Sequence, residues 1–380
     1  MQQYKSIFMY GFAIFAMFFG SGNLVFPISI GYNAGNNWFM GFLGLFFTGI
    51  LLPFLGLFVI KLYKGNSTKF FGEAGAIAAN IIPFFTLSLL GSFGVIPRCI
   101  TVAHGGMEYI FPSLGILVFA SVFCLLTYVL CLKEHVMIKI LGKWMSPILL
   151  IALLILIVFG VAQAPYTSAE VEAKKAFMNG FLTGYQTMDL FAAFFFSALI
   201  FKQIQETETY LKKDMDLLIY AAKPSIIGSI LLGVIYLGFV YLGSHYSDII
   251  IGAAPEHMLP TIVRHVMGSS AAIFIAVAIL LSCITTAVAL NNIYARYIST
   301  TLNLREATFP FILLATTIIS FIISLLDFKG IAAFLSPALD ASYPGLITLT
   351  FMCIITRKFQ KLKIFTFWAI TIICCWSLYH

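Results

Sequence analysis

The stretch Phe15-Ala-Met-Phe-Phe-Gly-Ser-Gly-Asn-Leu-Val-Phe-Pro27 lies in the middle of the first long apolar run of the chain. Gly20, Ser21, Gly22 and Asn23 put four poor helix formers at a depth where a plain anchor carries Leu or Ile. Backbone unwinds at that depth only where protein or a water-filled cavity satisfies the freed N–H and C=O groups, so the stretch predicts a helix break that lines a site. The alternative is a packing seam, because Gly-x-Gly also lets helices approach closely. The third glycine and the strand context of a nucleotide fingerprint are missing, which excludes that reading.

The chain as a whole is 61% hydrophobic and only 10% charged, against about 45–50% and 25% in soluble domains. Apolar runs of 18 or more residues recur nearly end to end, whereas lipid-facing strands would be about ten residues long and alternating, so the expected class is an all-α integral membrane bundle. Spans are predicted at about 7–30, 38–62, 77–98, 114–132, 144–162, 180–201, 223–243, 269–297, 308–326, 331–356 and 364–379, eleven in all. Met1-Gln-Gln-Tyr-Lys-Ser6 lacks a signal-peptide cleavage pattern, so the first span is expected to be retained.

With the N-terminus inside, seventeen of the 22 lysines and arginines fall on the cytoplasmic side, leaving Arg98, Lys174, Lys175, Arg264 and Lys329 outside with His380. That bias fits a cytoplasmic membrane crossed many times, and it accounts for the net charge of +7 without nucleic acid. The seven cysteines form no ligand spacing and read as small core residues. No histidine spacing, phosphate loop or nucleophile elbow supports an enzyme or a resident cofactor.

Five spans make an odd-numbered unit, so a second copy in sequence sits upside down in the membrane. This is the inverted repeat of secondary transporters, here about 7–162 and 180–356 with an accessory helix at about 364–379, within a single domain 1–380. A second polar interruption duly falls in span 6, Thr183 to Asp189, which includes Tyr185, Gln186 and Thr187. An unpaired carboxylate costs about 2.5–3.5 kcal/mol at a helix centre, so Asp189 must face a partner or a cavity; the plainer reading is a carboxylate held by backbone donors to fix the break. In span 8, Ser282, Thr285 and Thr286 stand at i, i+3 and i+4. Their hydroxyls either form a neutral oxygen cage for a cation, with carbonyls freed in span 1 and the Asn23 oxygen, or bond the carbonyls behind them in their own helix.

Three weaker signals remain. Arg98, His104 and Glu108 read as an interfacial ion pair rather than a gate, and Pro337 and Pro344 require span 10 to kink or break beside Asp340. Residues 245–268 form short helices over the outer face, as connector or gate.

Phe18 to Pro27, Ile96-Pro-Arg98 with Thr101-Val102, Gly184-Tyr-Gln-Thr-Met-Asp189, Cys283-Ile-Thr-Thr-Ala287 and Tyr343-Pro344 closely resemble, in order and spacing, the bacterial branched-chain amino acid:cation symporter family. The resemblance implies a leucine-transporter-type fold of five plus five inverted helices with discontinuous helices 1 and 6. It implies uptake of leucine, isoleucine and valine driven by sodium or, less commonly, protons, by a chain acting as a monomer in lipid. It further implies that Ser21 and Gly22 amides receive the substrate carboxylate, and that the Phe18 carbonyl and the break around Tyr185 to Thr187 receive its ammonium. Carbonyls of Ala16, Phe19 and Ser282 with the hydroxyls of Thr285 and Thr286 would hold the ion. Asn23, Gln186 and Asp189 complete the expected substrate site, and Asp189 is the proton carrier if sodium is not the coupling ion.

Overall fold

The apolar runs become helices, and polar or glycine-rich interruptions set where they start and stop. The computed structural model describes residues 2–132, 146–166, 169–207, 214–356 and 358–378; Lys133, Lys139, Lys143, Lys212, Lys213, Arg357, the first two residues of the fifth expected span and His380 lie outside the described residues. Among the described residues no strand occurs.

The first span is split into α1 (Gln2–Phe18) and α2 (Ser21–Ala34). A 3-10 turn leads into α3 (Trp38–Leu45), and a π turn (Phe46–Leu51) joins it to α4 (Leu52–Leu62). The short α5 (Ser67–Gly72) precedes α6 (Ala76–Leu90), α7 (Val95–Glu108), α8 (Ile116–Leu132) and α9 (Ser146–Ala162). The second half opens with α10 (Ala173–Tyr185) and α11 (Asp189–Thr207), followed by α12 (Asp214–His245) and the long α13 (Pro255–Thr301). It closes with α14 (Phe309–Ser324), α15 (Phe328–Ile355) and α16 (Gln360–Ser377). Among the described residues, six helical stretches are long and apolar enough to cross a membrane, Ser21–Leu62 and Pro255–Thr301 among them, and four shorter apolar helices accompany them.

Glycine lets the split helices pack tightly. A Cβ on Gly31 of α2 would lie 1.9 Å from the Val240 carbonyl of α12, and one on Gly180 of α10 would lie 2.0 Å from the Gly41 carbonyl of α3. Any side chain would force these backbones apart, the small-residue packing typical of membrane helices. The π turn of the second span faces α10 directly, with the Thr48 hydroxyl donating to the Phe181 carbonyl at 2.9 Å. Each half-helix of a broken span is thereby held by a neighbour.

Several expectations change. The third span does not end at Arg98; it pauses at Gly91–Gly94 and continues as α7 to Glu108, because Ala103, Gly105 and Gly106 remain buried beside α13. Of the two outcomes expected for span 10 the break does not occur: the span passes both prolines as one continuous helix, with Asp340 accepting from Ser336 one turn back at 3.1 Å. The expected outer segment is helical from Pro255 and turns at Gly268, whose φ of 82° marks the corner where it joins the eighth span. Lys61 and Lys363 are not loop charges. Both are buried, Lys61 donating to Ser225 at 2.5 Å and Lys363 pairing with Glu73 at 2.9 Å. Five cysteines are buried as expected, but Cys375 is exposed and Cys374 half-buried, because α16 lies on the flank of the bundle.

Candidate functional site

The break in the first span is short. α1 closes with the Phe19 N–H donating to the Phe15 carbonyl at 2.9 Å, and Gly20 is extended (φ −117°, ψ −163°) before α2 begins at Ser21. Asn23 reaches back so that its Oδ1 accepts from the Gly20 N–H at 3.2 Å, which satisfies one of the donors a helix start leaves open. The Asn23 oxygen thus closes the break from within.

The span 6 break is longer and more strained. α10 ends at Tyr185, and Gln186, Thr187 and Met188 form a tight turn in which Met188 N–H donates to the Tyr185 carbonyl at 3.1 Å. Met188 is left-handed (φ 60°), a conformation that favours glycine and that a larger residue holds only when its surroundings impose it. α11 then starts at Asp189, which puts a carboxylate at the positive end of a helix dipole.

The two breaks meet through side chains. Asp189, 2% exposed, accepts from Asn23 Nδ2 at 2.9 Å and from the Tyr236 hydroxyl of α12 at 2.8 Å, both on Oδ2, and Asn23 Nδ2 also donates to the Tyr236 oxygen. The partners of Asp189 are thus side chains from the opposite break and from α12, not the backbone donors of the plainer reading. Nothing in the sequence singled out Tyr236, which sits in an ordinary apolar run and is chosen only by where α12 packs on α2.

Arg98 was expected at the interface and lies instead at the span 6 break, 1% exposed. Its Nη1 donates to the Gln186 carbonyl at 2.7 Å and its Nη2 to Met188 Sδ at 2.8 Å, while the guanidinium lies over the Phe26 ring at 5.4 Å. His104 bonds the Leu114 carbonyl and Glu108 pairs with His257 of α13, so the expected trio does not assemble. A signal was present: a charge followed by small residues that keep helical spacing is as consistent with a buried cation as with a span end.

Two cavities flank the first break. One, of about 20 Å³, is lined by Phe18, Gly20, Gly22, Asn23, Thr187 and Asp189, by Arg98 and Thr286, and by an apolar wall of Met17, Leu90, Val95, Ala192, Phe196 and Leu290. It has room for about a single water, so admitting an amino acid requires the two breaks to part. Ser21, Tyr185 and Gln186 do not line it. Ser21 Oγ accepts from Cys99 Sγ at 3.5 Å, Tyr185 packs against Tyr343 of α15 at 4.6 Å, and Gln186 contributes its carbonyl to Arg98.

The second cavity, of about 80 Å³, lies between α1, α9 and α13 and is lined by Ala16, Phe19, Ser282 and Thr285 among others. Ser282 Oγ donates to the Phe19 carbonyl at 3.2 Å and Thr285 Oγ1 to the Ser282 carbonyl at 2.6 Å. Among the described residues the Thr286 hydroxyl has no hydrogen-bond partner, and its side chain faces Gly20. Consecutive residues on a helix point about 100° apart, which is why Thr285 and Thr286 open into different cavities.

A family model described as "Branched-chain amino acid transport protein" matches residues 3–380. Similar curated proteins include the branched-chain amino acid permease BrnQ of Corynebacterium glutamicum (28% identical, 99% of this chain and 87% of that protein) and the branched-chain amino acid permease BraB of Bacillus subtilis (27%, 94% and 81%). Branched-chain amino acid transport system 3 carrier protein of Pseudomonas aeruginosa is 29% identical over 91% of this chain and 79% of its own. These relatives are transport proteins, not enzymes. Among solved structures, MhsT in complex with L-phenylalanine matches at a TM-score of 0.60 with 15% identity, covering 97% of both chains. The nucleobase-cation-symport-1 family transporter Mhp1 matches at 0.63 with 14% identity over 90% of this chain and 76% of its own. The fold is that of leucine-transporter-type proteins.

Proposed function

This chain is a member of the branched-chain amino acid transport protein family, and on that premise we propose that it carries leucine, isoleucine and valine, with methionine as a neighbouring substrate, inward across a bacterial cytoplasmic membrane by sodium-coupled alternating access. The observation that carries this reading is the cavity where the two broken spans meet. It offers a helix N-terminus and a carboxylate to the two ends of a zwitterion, and an apolar wall to an aliphatic side chain.

In this reading the Ser21 and Gly22 amides at the start of α2 receive the substrate carboxylate. The Phe18 carbonyl, Thr187 and Asp189 receive its ammonium. Asn23 holds the two breaks in register, and Tyr185 and Gln186 shape the span 6 turn. The ion sits between α1 and α13, on the carbonyls of Ala16, Phe19 and Ser282 and the Thr285 hydroxyl, with Thr286 approaching from the substrate side. Neutral oxygens suit a monovalent hard cation, whose charge needs no carboxylate to balance it.

One monovalent cation moving inward down 100 mV releases about 2.3 kcal/mol, close to fifty-fold in concentration before any ion gradient is counted. One ion per zwitterion is therefore sufficient for accumulation. Proton coupling is the second reading, favoured by Asp189 as a buried carboxylate shared by both breaks. Radiolabelled leucine uptake into proteoliposomes tests both. Accumulation that follows an inward sodium gradient supports the sodium reading, accumulation that follows a pH gradient alone supports the proton reading, and equilibration without accumulation excludes a symporter.

A further inference from the structure

We infer that Arg98, which lines the cavity between the two helix breaks, recognises the substrate carboxylate through the guanidinium edge formed by Nε and Nη2 once the breaks part, and so makes the site selective for ligands carrying a carboxylate beside their ammonium. The inference rests on the transport reading above and assigns within it a residue that neither break supplies.

The first ground is electrostatic. Arg98 is 1% exposed at the centre of the bundle, and among the described residues no carboxylate pairs with it. Asp189 lines the same cavity, but its Oδ2 is engaged by two neutral donors, Asn23 and Tyr236. A buried cation without an anion in contact is costly, and in a membrane bundle such a group ordinarily faces a substrate path or a partner.

The second ground is geometric. Of the five guanidinium N–H donors, one on Nη1 is committed to the Gln186 carbonyl. Among the described residues Nε has no hydrogen-bond partner, and Nη2 meets only the thioether of Met188, a weak acceptor. Nε and Nη2 form the side edge that matches a carboxylate with two parallel N–H···O bonds, so the edge that has no oxygen acceptor is the bidentate one, and a carboxylate would replace the Met188 sulfur on Nη2. The ring of Phe26 behind the guanidinium fixes its plane.

The third ground is convergence. Cys99, next in sequence to Arg98, bonds Ser21 in the first turn of α2, so the start of α7 and the start of α2 are adjacent. Arg98 itself lines the same cavity as Gly20 and Gly22 and lies over Phe26 of α2, so it and the amides of α2 can meet the same end of a bound zwitterion, with Asp189 left for the ammonium. Arg98 also ties ligand binding to the span 6 turn, because its other nitrogen holds the Gln186 carbonyl.

The test uses purified full-length protein and competition against radiolabelled leucine by three probes: leucine itself, 3-methylbutylamine, which lacks the carboxylate, and 4-methylpentanoate, which lacks the ammonium. Charge-assisted bonds of this kind correspond to roughly 10- to 150-fold in affinity. Arg98→Gln is expected to weaken leucine and 4-methylpentanoate by that range and 3-methylbutylamine by less than about threefold, so that the preference for leucine over the amine collapses. Arg98→Lys keeps the charge but not the fork, and an intermediate preference is expected from it. If Arg98 serves only to hold the span 6 turn, all three probes weaken together. An unchanged leucine-to-amine ratio in Arg98→Lys, or in Arg98→Gln where that variant folds, overturns the inference while leaving leucine binding by the wild type intact. Wild-type protein that binds no leucine overturns the transport reading and this inference with it.

Discussion

The two breaks perform the same operation in different ways. In the first span the chain opens at glycine: Gly20 is extended without strain, and the Asn23 side chain three residues on closes its donor, so the break is self-contained. In the sixth span there is no glycine at the corner. Met188 takes the left-handed conformation, and the turn is held from outside by Arg98, about ninety residues away in sequence, through the Gln186 carbonyl and the Met188 sulfur. One break is encoded locally and the other is imposed by tertiary contacts. A locally encoded break keeps its shape when neighbours move, whereas an imposed one depends on them, so the sixth span is the half of the site whose geometry can follow its surroundings.

That contrast can be broken at four points. The largest effect is expected from Ser21→Leu, which forces a branched side chain into a fully buried first turn of α2 while adding apolar surface. Leucine uptake should fall below detection with membrane insertion retained, and normal uptake would remove the self-contained break from the site. Asp189→Ala comes next, because it strands the Asn23 and Tyr236 donors at once. Each stranded buried donor costs about 1–3 kcal/mol, so uptake should drop by roughly a hundredfold or more, while Tyr236→Phe should cost about tenfold. Equal losses in the two variants would mean that Asp189 does not join the breaks.

Thr286→Ala removes a hydroxyl that makes no hydrogen bond, so stability should change by less than about 1 kcal/mol. Half-saturating sodium is expected to rise by about tenfold with leucine affinity little altered at saturating sodium, and equal loss of both at every sodium concentration would argue against an ion role. Gly20→Ala should have the smallest effect, a few-fold in uptake. The Gly20 φ is open to any residue, and the added Cβ would meet the Thr286 side chain, its Cγ2 at 3.1 Å and its Oγ1 at 3.5 Å. A loss as deep as that of Ser21→Leu would show that the first break also depends on conformational freedom.

The legible part of the site follows the same division. Gly20 to Asn23 announced either a break or a small-residue packing seam, because four poor helix formers sit in the hydrocarbon, and the polar run Tyr185 to Asp189 announced its counterpart. The buried Asp189 was legible as a group needing partners, but the partners were not. Arg98 was misplaced because a charge after an apolar run reads as a span end, whereas the burial of Ala103, Gly105 and Gly106 against α13 carries the helix onward. Ser282, Thr285 and Thr286 were legible as a hydroxyl stripe, yet the 100° between consecutive residues sends the two threonines to different cavities.

By itself the sequence determined the all-helical membrane class and the position of both interruptions, because hydrophobic length and helix propensity act over a few turns of contiguous chain. Only the tertiary structure decided that Asn23, Asp189 and Tyr236 share one node, that Arg98 supports the sixth span and that the threonines divide between two cavities. Those outcomes depend on which helix faces pack together, and that is settled by the close approach of distant glycines such as Gly31 and Gly180 rather than by any local pattern.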